Sequence, residues 1–90
     1  FLAGHAVAAN RGLAVMIIDM QEGFYLETGT AGSTGLRKLV RSQAMLLEWA
    51  VRNAVPVIVF EYEEFGDTDP KLMSVIKNHT HRTLTKNKDN

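Results

Sequence analysis

The sequence predicts an α/β protein: an open parallel sheet with helices on both faces, in three layers α/β/α. Three observations carry that prediction. Two unbroken apolar runs, LAVMII (Leu13–Ile18) and VIVF (Val57–Phe60), lack the alternation of a half-exposed strand and read as strands buried on both faces. A segment of helical periodicity lies between them. The order strand, helix, strand, helix, strand has connections of the length that right-handed parallel crossovers need.

Each element follows from local chemistry. The first strand is bounded by Gly12 and by Asp19-Met20-Gln21. GFYLETGTAGSTG, residues 23–35, carries four glycines and four Thr or Ser residues and reads as a loop, from which Ser33 or Thr34 caps the next helix. That helix is expected over Leu36–Ala54. Leu36, Leu39, Val40, Leu47, Ala50 and Val51 fall on one face, and Arg37, Lys38, Arg41, Glu48 and Arg52 largely elsewhere. Gln43 interrupts the apolar stripe, while Met45, Leu46 and Trp49 widen it. Trp49 is assigned to helix packing, with an oligomer contact as the alternative. Pro56 ends the helix, because proline disfavours helical geometry in the residue before it.

The second strand leads into Glu61-Tyr62-Glu63-Glu64, and Phe65–Thr68 reads as a turn. Asp69-Pro70 starts a short helix, the acid as cap and the proline at the first helical position, with Leu72, Val75 and Ile76 as its apolar face. Arg82–Thr85 is a third strand ending at Lys86. Residues 1–12 form a lead-in segment, small and apolar but without the basic leading region and full apolar core of a signal peptide. Both ends read as cut, since Lys88-Asp89-Asn90 supplies no terminating element.

Composition narrows the function. The 90 residues are 46% hydrophobic and 22% charged, which is the balance of an ordinary globular chain. Ten basic residues balance ten acidic ones, so no cationic excess neutralises nucleic-acid phosphates. No apolar run approaches the roughly 20 residues of a membrane span. The reading is of a cytoplasmic protein without nucleic-acid or membrane partners. There is no cysteine, hence neither a disulfide nor a thiol nucleophile within these residues.

One feature is chemically odd. The most apolar run in the chain ends directly in a carboxylate, Asp19, and an unpaired buried carboxylate is costly. Open α/β sheets bind ligands at the carboxyl ends of their strands. Lys86 ends the third strand as Asp19 ends the first, so an acid and a base are expected at one rim. Several chemistries fit poorly. A phosphotransferase of the haloacid-dehalogenase type wants a second aspartate where Gln21 stands. A dinucleotide site wants a Gly-rich turn where Met20-Gln21-Glu22-Gly23 stands. A receiver domain wants paired acids. His79 and His81 read as surface or helix-end residues, and the acids Glu61, Glu63, Glu64, Asp67 and Asp69 as a solvated loop.

The stretch IIDMQEGF, Ile17–Phe24, resembles the opening motif of the isochorismatase-like cysteine hydrolases: an apolar strand running into Asp-Met-Gln, with a phenylalanine three residues after the glutamine. The long helix, Val-Pro-Val-Ile-Val-Phe and Thr-Leu-Thr-Lys-Asn-Lys-Asp-Asn follow in the family's order. The resemblance extends over residues 13–90. It implies a Rossmann-like domain with a six-stranded parallel sheet, of which this chain is the N-terminal half. It implies a catalytic Asp-Lys-Cys triad in which Asp19 is the general base and Lys86 the lysine, with Lys88 the alternative two residues on. Gln21, Phe24 and Tyr62 are the implied substrate-binding residues. The cysteine follows a fourth strand in the family and lies beyond this sequence. The family often forms homo-oligomers. Some members bind a metal through an Asp-x-His motif after the second strand. Asp67 and Asp69 stand here without a histidine, so neither metal nor other cofactor is expected. The alternative is a non-catalytic binding or assembly module of the same fold.

Overall fold

The computed structural model describes residues 12–87. Three parallel strands form one sheet in the order β1-β2-β3: Val15–Ile18, Val57–Tyr62 and His81–Lys86. Val15 to Ile18 pair with Val57 to Phe60, and Val57 to Tyr62 pair with His81 to Lys86. The α/β class, the strand order along the chain and the parallel pairing are those the sequence predicts. The lead-in residues 1–11 and the positions Lys88 and Asn90 lie outside the described residues.

The 23–35 segment differs from its expected loop. Residues Glu22–Thr28 form a helix, α1. The glycines that suggested a loop sit where a helix tolerates or needs them. Gly29 ends α1 with φ 75°, the left-handed conformation in which glycine carries no Cβ penalty. Gly23 packs so tightly that an added Cβ would lie 2.8 Å from Phe65 Cα. Tyr25, buried on the inner side of α1, anchors the short helix to the core.

Helix α2 runs over Thr34–Arg52, starting and ending before its expected bounds. The Ser33 hydroxyl accepts from Leu36 N at 3.0 Å, which starts the helix at Thr34. At its end the Asn53 side chain donates to Trp49 O at 2.8 Å, and Ala54 turns the chain with φ 55°. Val40, Leu47 and Ala50 are buried, and Trp49 is half-buried against the core as assigned. Leu39 and Val51, expected on the buried face, are exposed. A short 3-10 turn, Glu63–Phe65, follows β2. Helix α3, Pro70–Ile76, is capped as expected: Asp69 Oδ1 accepts from Lys71 N at 2.9 Å, with Pro70 at the first position.

The layering departs from the expectation of helices on both faces. Along β1 the pattern is alternating: Val15 and Ile17 are buried, whereas Met16 is 57% and Ile18 53% exposed. Val57 and Val59 on β2 are buried with the inner set. Helices α2 and α3 pack against one another. Two right-handed crossovers stepping the same way across a sheet deliver their helices to the same face. Among the described residues, therefore, the helices cover one face, and Met16, Ile18, Ile58, Phe60 and Leu84 lie on the other. Apolar continuity in the sequence thus reflects a sheet apolar on both sides, of which the described helices cover one. No helix among the described residues is long and apolar enough to cross a membrane.

Two neighbouring isoleucines test this one-sided burial. Ile17→Ala removes a side chain 2% exposed and is expected to destabilise the protein by about 2–5 kcal/mol in urea-induced unfolding. In the same 90-residue chain Ile18→Ala is expected to cost less than about 1 kcal/mol. Equal costs would show that the outer face is covered in solution.

Candidate functional site

The site begins where β1 ends. Asp19 N donates to Phe60 O at 3.1 Å, extending the β1–β2 ladder by one rung. Asp19 itself adopts φ 58°, left-handed geometry that aspartate accepts more readily than most residues. The turn drives Met20 into the core and leaves Gln21 extended and wholly buried. Gln21 forms an isolated antiparallel bridge with Thr68, and Asp69 N donates to Met20 O at 2.7 Å. The segment after β1 is thereby joined to the segment before α3.

Gln21 is not placed to bind a substrate, as the resemblance implied. Its side-chain amide acts as an additional peptide group beside the end of β2: Oε1 accepts from Tyr62 N at 2.9 Å, and Nε2 donates to Tyr62 O at 2.8 Å and to Gly66 O. A buried amide must be satisfied, and here backbone groups satisfy it. Gln21 therefore positions Tyr62 and the turn beyond it.

Lys86 is the strand partner of Tyr62 in the β2–β3 register. Asp19 and Lys86 end strands two sheet positions apart, roughly 10 Å at the usual strand spacing. A lysine is long enough to reach across β2, and its path lies over aromatic faces. Lys86 Nζ is 4.4 Å from the Tyr62 ring centroid and 5.8 Å from that of Phe60. It arrives 3.4 Å from Asp19 Oδ1, an oxygen without a hydrogen bond among the described residues. The side chains are 22% exposed for Asp19 and 32% for Lys86, so the pair is neither sealed nor freely solvated.

Asp19 also lines a cleft of about 420 Å³ with Ile18, Met20, Phe24, Leu36 and Leu39. That volume suits a small molecule, and the walls are mostly apolar. Phe24 is half-buried, 5.5 Å from the Phe65 ring, which in turn meets Tyr62 edge-on at 6.0 Å. An aromatic chain thus runs from the cleft to the floor beneath Lys86. The structure brings Asp19, Lys86 and Tyr62 together, puts Phe24 in the cleft that Asp19 lines, and removes Gln21 to a supporting position.

Two participants were not identified from sequence. Phe65 links Phe24 to Tyr62, but in FGD it reads only as part of a turn. Tyr25 donates to Asp69 Oδ2 at 3.1 Å, bracing α1 against the start of α3. Burial, then the adjacent Asp69 charge and that hydrogen bond, raise the Tyr25 pKa, so it remains a neutral donor. The histidines lie elsewhere: His79 bonds Val55 O and His81 bonds His79 O, at the amino ends of β2 and β3. The Glu61 carboxylate accepts from Thr68 N and Oγ1 at 2.8 and 2.7 Å. Among the described residues no group of three or more His, Cys, Asp or Glu side chains is arranged to hold a metal ion.

Comparison of the chain with protein-family models, curated proteins and solved structures finds no match.

The clamp and the turn make separate predictions. Gln21→Ala leaves buried backbone groups of Tyr62 and Gly66 unpaired and is expected to destabilise the protein by about 2–4 kcal/mol in urea unfolding. At Asp19, the left-handed backbone makes Asp19→Gly more stable than Asp19→Ala by about 1 kcal/mol in the same measurement.

Proposed function

We propose that this chain is the N-terminal half of a three-layer hydrolase domain of the isochorismatase-like kind, acting on a small amide, carbamoyl or related substrate. The observation that carries the reading is the approach of Lys86 Nζ to 3.4 Å from Asp19 Oδ1. These are the two residues that the resemblance assigns to an Asp-Lys-Cys triad. They meet at the carboxyl ends of parallel strands, beside an apolar cleft, where open α/β sheets usually keep their chemistry. The half-domain reading draws support from the outer sheet face, where Met16 and Ile18 are exposed. It also draws support from β1, whose outer edge has no strand partner among the described residues. The remaining strands of a six-stranded sheet and their helices would occupy those places.

In this mechanism the third member is a cysteine from the rest of the domain. The Lys86 ammonium favours its thiolate. The Asp19 carboxylate accepts the thiol proton as sulfur attacks the carbonyl carbon. Backbone amides stabilise the tetrahedral oxyanion. As the C–N bond breaks, the proton passes from Asp19 to the leaving nitrogen. Asp19 then takes a proton from water, whose oxygen cleaves the thioester and restores the thiol. Phe24 packs against the substrate, and Tyr62 serves from beneath by holding Lys86. The chemistry requires no metal, and Asp69 is already engaged by Tyr25 and by its cap. The same reading makes the whole protein a cytoplasmic homo-oligomer.

The alternative is a non-catalytic binding or assembly module. It is favoured by the lack of any thiol in these 90 residues. One experiment separates the two. The natural protein is purified, its intact mass is measured before and after thiol alkylation, and its turnover of small primary amides is assayed. The hydrolase reading expects an alkylatable cysteine and a fall in kcat/KM of at least about 100-fold in Asp19→Asn. A protein without a thiol and without turnover is the binding module, and turnover unchanged in that variant overturns the role of Asp19.

A further inference from the structure

A second cavity lies away from the Asp19–Lys86 pair. It is an open cleft of about 520 Å³ bordered by α1, the loop after it, the first half of α2 and the start of α3. Its apolar lining comes from Tyr25, Ala31, Leu36, Val40, Ala44 and Pro70. Three cations, Arg37, Arg41 and Lys71, line it together with two carboxylates, Glu22 and Asp69.

Three cations against two carboxylates leave the lining with a formal charge of +1, and the carboxylates form no ion pair with the cations among the described residues. Asp69 is held by the Tyr25 hydroxyl on one oxygen and by Lys71 N on the other. The structure's ion pair among described residues is that of Lys86 with Asp19, and neither the Arg41 nor the Lys71 side chain has a hydrogen bond or ion pair there. Arg37 is already oriented, donating from Nη1 to Gly32 O at 2.7 Å and from Nη2 to Thr34 Oγ1 at 3.1 Å. Further guanidinium donors remain. Arg41 stands one helical turn beyond Arg37, so the two lie on the same face of α2. Lys71 approaches from α3.

We propose that this cavity binds a small organic anion, a carboxylate or phosphate monoester on an apolar body. The anionic group sits among Arg37, Arg41 and Lys71, and the body lies on Tyr25, Leu36 and Val40. Planar guanidinium groups suit carboxylate and phosphate geometry, and the apolar lining disfavours a bare inorganic ion. Glu22 opposes anions of higher charge. Tyr25 and Leu36 line both this cavity and the Asp19 cleft, yet the inference stands apart from the hydrolase reading, because it uses neither Asp19 nor Lys86.

The test is a titration of the protein followed by amide proton–nitrogen NMR, with benzoate, phenyl phosphate, inorganic phosphate and neutral benzamide added in separate series. Benzoate and phenyl phosphate are expected to give saturable shifts at Arg37, Val40, Arg41, Ala44 and Lys71, which line this cavity and not the Asp19 cleft, and benzamide none there. The Arg41→Gln, Lys71→Gln double variant, altered only at exposed side chains, should weaken that binding about tenfold or more with its melting temperature unchanged. Shifts with benzamide at Ile18, Asp19, Phe24, Thr28 and Leu39, without shifts at the five residues that line this cavity alone, report the Asp19 cleft and leave the expectation for this cavity intact. The proposal is overturned if benzoate gives no saturable shift at the five residues of this cavity by about 10 mM. It is also overturned if benzamide binds there equally, if inorganic phosphate binds as well as phenyl phosphate, or if the double variant binds as tightly as the parent.

Discussion

The side-chain amide of Gln21 is the constraint on which the rest of this arrangement depends. It is wholly buried, and a buried amide left unpaired costs about 1–3 kcal/mol for each lost partner. Its partners are the Tyr62 backbone groups at the end of β2 and the Gly66 carbonyl beyond the 3-10 turn. One side chain therefore joins the exit of β1, the exit of β2 and the turn leading to α3. Asp19 stands two residues before Gln21, so the clamp and the Asp19 N to Phe60 O bond together set where its carboxylate begins. Tyr62 is opposite Lys86 in the sheet, so the same clamp sets where the lysine begins.

The ion pair that results has a specific physical character. Both side chains are partly exposed, and pairs of that kind add only about 0–1 kcal/mol to stability. The left-handed turn at Asp19 works in the opposite direction, because a non-glycine residue there carries backbone strain. Stability alone thus gives little reason for this placement. The aromatic faces of Tyr62 and Phe60 favour the charged ammonium by cation–π attraction as it crosses β2. Lysine length, a flat aromatic floor and a carboxylate two strands away form one unit.

The sheet has two unlike faces. Helices α2 and α3 bury Val15, Ile17, Val57 and Val59 on one side, whereas Met16, Ile18 and Leu84 are exposed on the other. The strand register makes the outer side continuous, with Ile18, Phe60 and Leu84 in one row. Tyr62 and Lys86 stand at the rim of this same outer side. The candidate site therefore lies where an uncovered apolar surface meets the carboxyl ends of the strands. A covering layer there would also desolvate the Asp19–Lys86 pair, strengthening its electrostatics as water is excluded.

The sequence by itself determined the features that depend on near neighbours. Continuous apolar runs marked β1 and β2, Ser33 and Asp69-Pro70 marked two helix starts, and strand-end position singled out Asp19 and Lys86. Short-range hydrogen bonds, proline geometry and apolar runs are local, so they are legible along the chain. Tertiary structure decided what depends on distant partners. Helix α1 forms from a glycine- and threonine-rich stretch because Tyr25 is buried and Gly23 fits against Phe65. The inner helices share one face because both crossovers step the same way, which no single segment records. Gln21 became a clamp and not a ligand-binding group because Tyr62 and Gly66, more than forty positions away in sequence, offer the backbone groups that its buried amide requires.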